Sequence, residues 1–318
     1  MKLLLYFKNK FNEKINQYLR EKIKWSKNID ERGDILFKII QDFVNLGGKR
    51  FRPALFYYAY KSYSSQKLDK ILKLSFAFEI FHTFVLIHDD IIDNSMLRRG
   101  SPTVHKKYDI AMAILAGDLA LMLSDEIFFK EAIGLEKIYN DFKQELIIGE
   151  YLDTKKIADV NKIMELKTAR YSFIRPVTMG LMLAGVATKE IEKWNSVLKE
   201  TGLIFQLKDD YIGTFGDEKA IGKSIMSDFI EKKNTIIIDL FKKTIAKKDL
   251  EKFNKVFGKE DYFNWYLSLL RKEKIDFKVQ QIIKNKGEVI LKKLEANFKN
   301  RLLAKLLKEI IFNILDFS

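Results

Sequence analysis

Apolar side chains recur at i, i+3, i+4 and i+7 along most of this chain, and few stretches alternate with period two. A chain patterned in this way buries its hydrophobic surface as helix packed on helix. Little interrupts the pattern. Proline occurs only at Pro53, Pro102 and Pro176, and the 15 glycines are scattered. The sequence therefore predicts an all-α protein. Its 47% hydrophobic content over 318 residues is enough for a large core. No linker rich in Pro, Gly or Ser divides it, which predicts a single domain over residues 1–318.

Several classes of function are set aside by composition. The absence of cysteine removes disulfides, a thiol nucleophile and Cys-ligated zinc, and three histidines are too few for a His-rich metal site. The start, "MKLLLYFKNKFNEK", has an apolar run too short for a secretory signal. The longest apolar region, "IAMAILAGDLALMLSDEIFF", is broken by Asp118 and Asp125 and predicts a buried helix rather than a membrane span. The expectation is a soluble, cytoplasmic protein without stable membrane insertion. The net charge is +14, and residues 241–318 hold nineteen Lys/Arg against ten Asp/Glu, hence +9 of it. Those lysines are spread along amphipathic stretches such as "LKKLEANFKNRLLAKLLKEI", which reads as a solvated face and not as a nucleic-acid surface.

Against that basic background, acid is concentrated in the most apolar surroundings. "FVLIHDDIIDNSMLRRGSPTVH" places Asp89, Asp90 and Asp93 directly after an apolar run and sets Arg98 and Arg99 close behind. At about 100° per residue, Asp89 and Asp93 share a helix face one turn apart. A second pair, Asp209 and Asp210, lies in the apolar helix of "GLIFQLKDDYIG". Buried carboxylates need cations. Oxygen ligands without nearby His or Cys suit Mg²⁺, which is commonly held by one or two carboxylates plus substrate phosphates. Two such acidic helices could hold a diphosphate through Mg²⁺, with arginines and lysines around it.

Eight segments in order carry a closer resemblance: "GGKRFRP" (Gly47–Pro53), "HTFVLIHDDIID" (His82–Asp93), "RRGSPTVH" (Arg98–His105), "AILAGD" (Ala113–Asp118), "GEYLD" (Gly149–Asp153), "KTARYSF" (Lys167–Phe173), "FQLKDD" (Phe205–Asp210) and "GKSIMSDFIEKKNT" (Gly222–Thr235). Over roughly residues 40–240 the chain resembles the trans-prenyltransferases, or isoprenyl diphosphate synthases. The resemblance implies a bundle of long helices around a central cavity, the isoprenoid synthase type I fold, usually as a homodimer. It also implies head-to-tail joining of an allylic prenyl diphosphate to isopentenyl diphosphate, with three Mg²⁺ ions per active site.

Residue by residue, the resemblance assigns Asp89, Asp90 and Asp93 to Mg²⁺ on one side of the leaving pyrophosphate, and Asp209 and Asp210 on the other. Arg98, Lys167, Lys223 and Lys233 match contacts to the allylic diphosphate. Lys49, Arg52, His82 and Arg99 match a basic, metal-free pocket for isopentenyl diphosphate. Lys167, Thr168 and Gln206 match the groups beside the carbocation, and the released pyrophosphate is the implied proton acceptor. For product length the floor is placed at Phe84, five residues and about 7.5 Å before Asp89, with Phe81 behind it and the small Val85 beside it. The expected product is C20, with C15 as the alternative.

Plain structural readings stand beside these. Gly47–Gly48 could be a helix C-cap, His82 a satisfied core histidine, and Thr168 a hydroxyl bonded back along its own helix. Lys232 and Lys233 could be solvated, and His88 and His105 read as structural. The second acidic motif departs from the family's DDxxD because Gly213 holds the last Asp position, and Asp217 is two turns away. In "EKKNT" Lys232 replaces the usual glycine. A non-catalytic partner subunit would typically lack the first acidic motif, which is whole here. A terpene cyclase would not need Lys49, Arg52 and Arg99. A membrane-surface role for the basic C-terminal helices has the least support.

Overall fold

The computed structural model describes residues 1–216 and 225–317. Among these, every regular element is helical apart from one two-stranded hairpin. The first elements are α1 (Lys2–Ser26), α2 (Asp34–Asn45), α3 (Phe51–Lys61), α4 (Leu68–Leu74) and α5 (Phe76–Ile92). The antiparallel hairpin of β1 (Leu97–Arg98) and β2 (Ser101–Pro102) follows, then α6 (Val104–Lys107), α7 (Ile110–Glu131) and α8 (Glu136–Thr154). Next come α9 (Val160–Met164), a π-helical segment (Glu165–Ile174), α10 (Arg175–Leu183) and α11 (Thr188–Phe215). The remainder is α12 (Ser227–Ile230), α13 (Ile236–Thr244), α14 (Lys247–Val256), α15 (Phe263–Lys272), α16 (Ile275–Phe298) and α17 (Leu302–Leu315). The chain divides into two compact units. One holds residues 1–140, 175–191 and 300–309; the other holds the described residues of 141–174, 192–299 and 310–318.

The first unit is organised by α5, which is apolar on nearly all sides. Phe78 packs on Phe56 of α3 at a centroid distance of 4.8 Å, and edge-on to Phe128 of α7. One face of α1, formed by Phe7, Phe11, Ile15 and Leu19, is buried, with Phe11 set edge-on to Phe76. Near the acidic end of α5, Ile87 joins Ile39 and Phe43 of α2, Val104 of α6 and Ala113 and Ala116 of α7 in one apolar cluster. Gly180 of α10 lies so close to α3 that a Cβ there would strike the Phe56 carbonyl. Leu68–Ile92 is long and apolar enough to cross a membrane, and most of it is buried within the fold.

The helix expected to be buried at 110–129 is buried along one face only. α7 buries Ala113, Ala116, Gly117, Ala120, Leu123, Ile127 and Phe128 but exposes Ile110, Ile114, Leu115 and Met122. In the first half of α7 the inner residues are the small Ala113, Ala116, Gly117 and Ala120, which let α5 approach closely, while Ile110, Ile114 and Leu115 face outward.

The second unit has its own core. Trp194 stacks on Phe298 at 3.7 Å, Phe173 meets Phe205 edge-on, and Phe229, Phe241, Phe253 and Tyr266 form an aromatic cluster. The amphipathic pattern beyond residue 240 is what feeds this cluster. Gly202 of α11 packs against the π-helical segment, where a Cβ would lie 2.5 Å from the Ala169 Cα. The π-helical turn, with its widened i→i+5 ladder, carries Lys167 and Thr168.

Candidate active site

In the first unit, Asp89 and Asp90 occupy the last turn of α5 and Asp93 is its C-cap. Carboxylates at a helix C-terminus face the negative end of the dipole, so this placement calls for cations. The two members of the pair differ. Asp90 is 1% exposed, and Arg98 donates to its Oδ1 from Nε at 2.9 Å and Nη2 at 2.5 Å. Asp89 is more exposed and only 3.4 Å from Arg98 Nη2. Burial pushes the Asp90 carboxyl up, and the Arg98 hydrogen bonds pull against that. Asp90 Oδ2 is buried with no hydrogen-bond partner. The hairpin aims Arg98 back at α5, because Arg99 and Gly100 both take positive φ in its tight turn.

That turn sends Arg99 the other way, where its guanidinium donates to the Gly47 carbonyl. Gly48, at φ +126°, makes room: a Cβ there would lie 2.9 Å from Arg99 Nη2. "GGKRFRP" and "RRGSPTVH" are thereby brought together. Buried Arg50, N-cap of α3 with φ +56°, donates to Glu79, to the Gly47 carbonyl at 2.9 Å and to the Val44 carbonyl at 2.5 Å. His82 is held well below its ordinary pKa, first by burial and then by Arg52, Arg99, Arg98 and Arg50. Burial also lowers Arg99, and Glu79 only partly offsets the like charges around it. So many guanidiniums around one neutral imidazole suit an anion. Arg52, His82 and Arg99 are gathered here, and Lys49 lies on the same connection, with Nζ 5.6 Å from the Phe51 ring.

In the second unit, Thr168 Oγ1 donates to Gln206 Oε1 at 2.5 Å, and Gln206 Nε2 donates to Asp210 Oδ1 at 2.8 Å. Asp210 Oδ2 accepts from the Ile236 backbone N–H at 3.3 Å. Burial pushes Asp210 up to about 7; Asp228 and Asp209 add to this, while Gln206 and the Ile236 amide oppose it. Asp209 is exposed. Each acidic pair thus has an outer carboxylate and an inner one tied into the fold. Lys167 Nζ lies 2.6 Å from Asp153 Oδ2 and 2.8 Å from Glu150 Oε2 of α8. Burial alone would lower its pKa; those two acids overcome this and hold it above the ordinary value. Gly149 permits that approach, since a Cβ there would lie 3.0 Å from Lys167 Cγ.

The second acidic motif is short by one carboxylate at Gly213, and Asp228 stands there: its Oδ2 is 3.2 Å from where a Gly213 Cβ would be. Lys232 has φ +55°, the backbone a glycine would favour, and its stem lies over Gly258. Lys233 is 2.9 Å from Glu231 Oε2. Lys223 and Asp217 fall outside the described residues. On α5, Phe84 touches Phe81 at a ring distance of 5.5 Å, and Val85 is buried beside it. Sequence reasoning did not single out Arg50–Glu79, the Glu150 and Asp153 partners of Lys167, or Asp228. A lone Glu within "FAFEIFHTF" was a usable signal, since a buried carboxylate requires a partner.

The donors are all oxygen, which fits a hard divalent cation. Among the described residues no three acidic or imidazole groups converge into a ready metal site. The carboxylates fit as partial shells that water and phosphate oxygens would complete, which is usual for Mg²⁺.

Solved structures share this architecture. The geranylgeranyl pyrophosphate synthetase from Pyrococcus horikoshii superposes with a TM-score of 0.81, covering 100% of this chain and 99% of its own, at 26% identity. The geranylgeranyl pyrophosphate synthase from Corynebacterium glutamicum, solved with isoprenyl diphosphate and magnesium, gives 0.85 over 98% and 99% at 24% identity, a likeness of fold. The chain therefore has the all-helical isoprenoid synthase fold. In sequence, the geranylgeranyl diphosphate synthase of Sulfolobus acidocaldarius is 31% identical over 253 residues, 73% of this chain and 74% of that protein. The model of the polyprenyl synthetase family matches residues 33–263, and the chain belongs to that family, as a trans-prenyltransferase.

Proposed function

We propose that the protein joins allylic prenyl diphosphates to isopentenyl diphosphate, head to tail, and releases a short all-trans product, chiefly the C20 geranylgeranyl diphosphate. The observation that carries this reading is the contrast within the first unit. Three carboxylates, Asp89, Asp90 and Asp93, end α5, with Arg98 close on buried Asp90 and farther from Asp89, and Arg99, Arg52 and His82 form a separate basic group. Two diphosphates must be treated differently, one activated to leave and one held intact, and two chemically distinct groups suit that need.

Asp89, Asp90 and Asp93 would hold Mg²⁺, as would Asp209 and Asp210, and the ion would supply positive charge to a leaving pyrophosphate. The family relative solved with isoprenyl diphosphate and magnesium supports this choice of ion. Arg98, Lys167, Lys223 and Lys233 bind the allylic diphosphate and favour charge that develops as it departs. Lys167 must exchange Glu150 or Asp153 for that anion. Lys49, Arg52, neutral His82 and Arg99 bind isopentenyl diphosphate without promoting its ionisation. Thr168 and Gln206 present oxygens to the carbocation, and their bond to each other and to Asp210 keeps them from turning into it as nucleophiles. Phe84 ends chain growth. A second copy of the chain covers the outward apolar residues of α7, giving a homodimer, and the enzyme works in the cytoplasm.

Labelled isopentenyl diphosphate, offered with each allylic primer in Mg²⁺ and followed by chromatography of the dephosphorylated products, tests the reading. Elongated C20 product is expected. Failure to elongate any primer sinks it.

A further inference from the structure

His88 fits its surroundings with unusual closeness for a residue with no role assigned above. It follows Phe84 by four positions on α5 and shares its side of the helix. The two rings meet edge-on, with centroids 4.7 Å apart and planes at 61°. Phe81 contacts Phe84 from one turn below, at 5.5 Å. On its far side the imidazole fills a notch in α7. A Cβ built on Gly117 would overlap the ring at Nε2 and Cδ2. His88 Nε2 also lies 3.4 Å from the Ile114 carbonyl and 3.6 Å from Asp118 Oδ1. The imidazole is thus fixed from α7 and presents a rigid edge to Phe84.

We propose that His88, seated on Gly117, is a positioning residue that sets product length by holding the Phe84 ring in place. The proposal rests on the reading of the protein as a prenyl synthase whose growing chain stops at Phe84. A smaller side chain at 88 leaves a hollow into which Phe84 can turn, which deepens the path. Any side chain at 117 displaces the imidazole toward Phe84, which shortens it. Both positions act through Phe84 and touch neither diphosphate.

Six purified proteins test this: wild type, His88→Ala, His88→Gln, Gly117→Ala, Phe84→Ala and the double variant Phe84→Ala/His88→Ala. Each is given labelled isopentenyl diphosphate and a primer, and product lengths are compared after circular dichroism has established helical folding. His88→Ala should move the main product up by at least one five-carbon unit, and Gly117→Ala should move it down by one. The double variant should make products no longer than Phe84→Ala alone, because the two act in series. His88→Gln, whose amide can still reach the Ile114 carbonyl, should keep the wild-type length, a rescue that general loosening of the helix pair would not give. Wild-type length from folded His88→Ala overturns the proposal, as does further lengthening in the Phe84→Ala background. Should His88→Ala not fold, wild-type length from folded Gly117→Ala overturns it equally. If the wild-type protein elongates no primer, the synthase reading fails, and the positioning role fails with it.

Discussion

Gln206 donates to Asp210 Oδ1 at 2.8 Å, and the same side chain accepts from Thr168 Oγ1 at 2.5 Å. One amide therefore links the π-helical turn to the inner carboxylate of the second acidic motif. The link is directional. An ionised Asp210 accepts from the amide nitrogen, which leaves Gln206 Oε1 to hold the Thr168 hydroxyl.

A pH dependence follows for the metal-free protein. Asp210 is raised by burial to about 7 in the folded state, against an unfolded value near 3.9. The folded state thus binds this proton more tightly. Its contribution to stability is full below the unfolded pKa and is lost as pH rises through about 7. With chelator present, Asp210→Asn should therefore gain stability over wild type as pH rises from 5 to 8. Thermal melts at several pH values measure this, and equal slopes for both proteins would count against it.

The inner and outer carboxylates of the first motif should respond differently to removal. Asp89→Ala should lose several orders of magnitude in turnover while the fold survives, because a half-exposed acid in a metal-free cluster mainly contributes repulsion. Asp90→Ala strips the buried partner from Arg98 and should cost about 3–5 kcal/mol of stability as well. Turnover together with urea unfolding separates the two. An unaltered unfolding midpoint for Asp90→Ala would contradict the assignment.

Arg52 is one of the guanidiniums that keep His82 neutral. Arg52→Ala should raise KM for isopentenyl diphosphate roughly ten- to hundredfold, from a charged hydrogen bond of about 1.5–3 kcal/mol. The effect on the allylic primer should be much smaller. Steady-state kinetics with each substrate varied in turn decide it, and equal losses on both would place Arg52 elsewhere.

Gly213 invites the substitution that would restore the family's DDxxD. Asp228 Oδ2 already lies 3.2 Å from the Cβ position, so Gly213→Asp adds a carboxylate beside Asp228, Asp209 and Asp210. In chelator the variant should melt below wild type, and Mg²⁺ should recover more stability for it than for wild type. Adding Asp228→Asn should relieve much of the deficit. A variant as stable as wild type without metal would show that the two carboxylates do not meet.

The helical class and both acidic pairs were legible from spacing, because a 3.6-residue period and a buried acid leave few alternatives, whereas the basic segments stood out only through the resemblance to the family. What spacing cannot show is which of two neighbours turns inward. "KRFR" offers Arg50 and Arg52 on equal terms. The left-handed backbone at Arg50 sends that side chain to Glu79, a contact 29 residues away in sequence. The same holds for α7, where "IAMAILAGD" reads as uniformly apolar. Only packing against α5 distinguishes its small inner residues from Ile114 and Leu115 outside. Likewise the resemblance pairs Lys167 with a diphosphate, and its partners Glu150 and Asp153 became visible only when Gly149 brought α8 against the π-helical turn.

Phe84 provides the test of product length. It stands five residues before Asp89, about 7.5 Å along the axis, is buried, and is flanked by Phe81 and His88. If the ring is the floor, Phe84→Ala opens space for further five-carbon units, and products of C25 and above should appear. Removing a buried phenyl costs about 3–5 kcal/mol when it serves only as packing, so stability will fall on either reading and does not discriminate. Product length does. A folded, active Phe84→Ala that still stops at the wild-type product would mean that chain growth is limited by another residue.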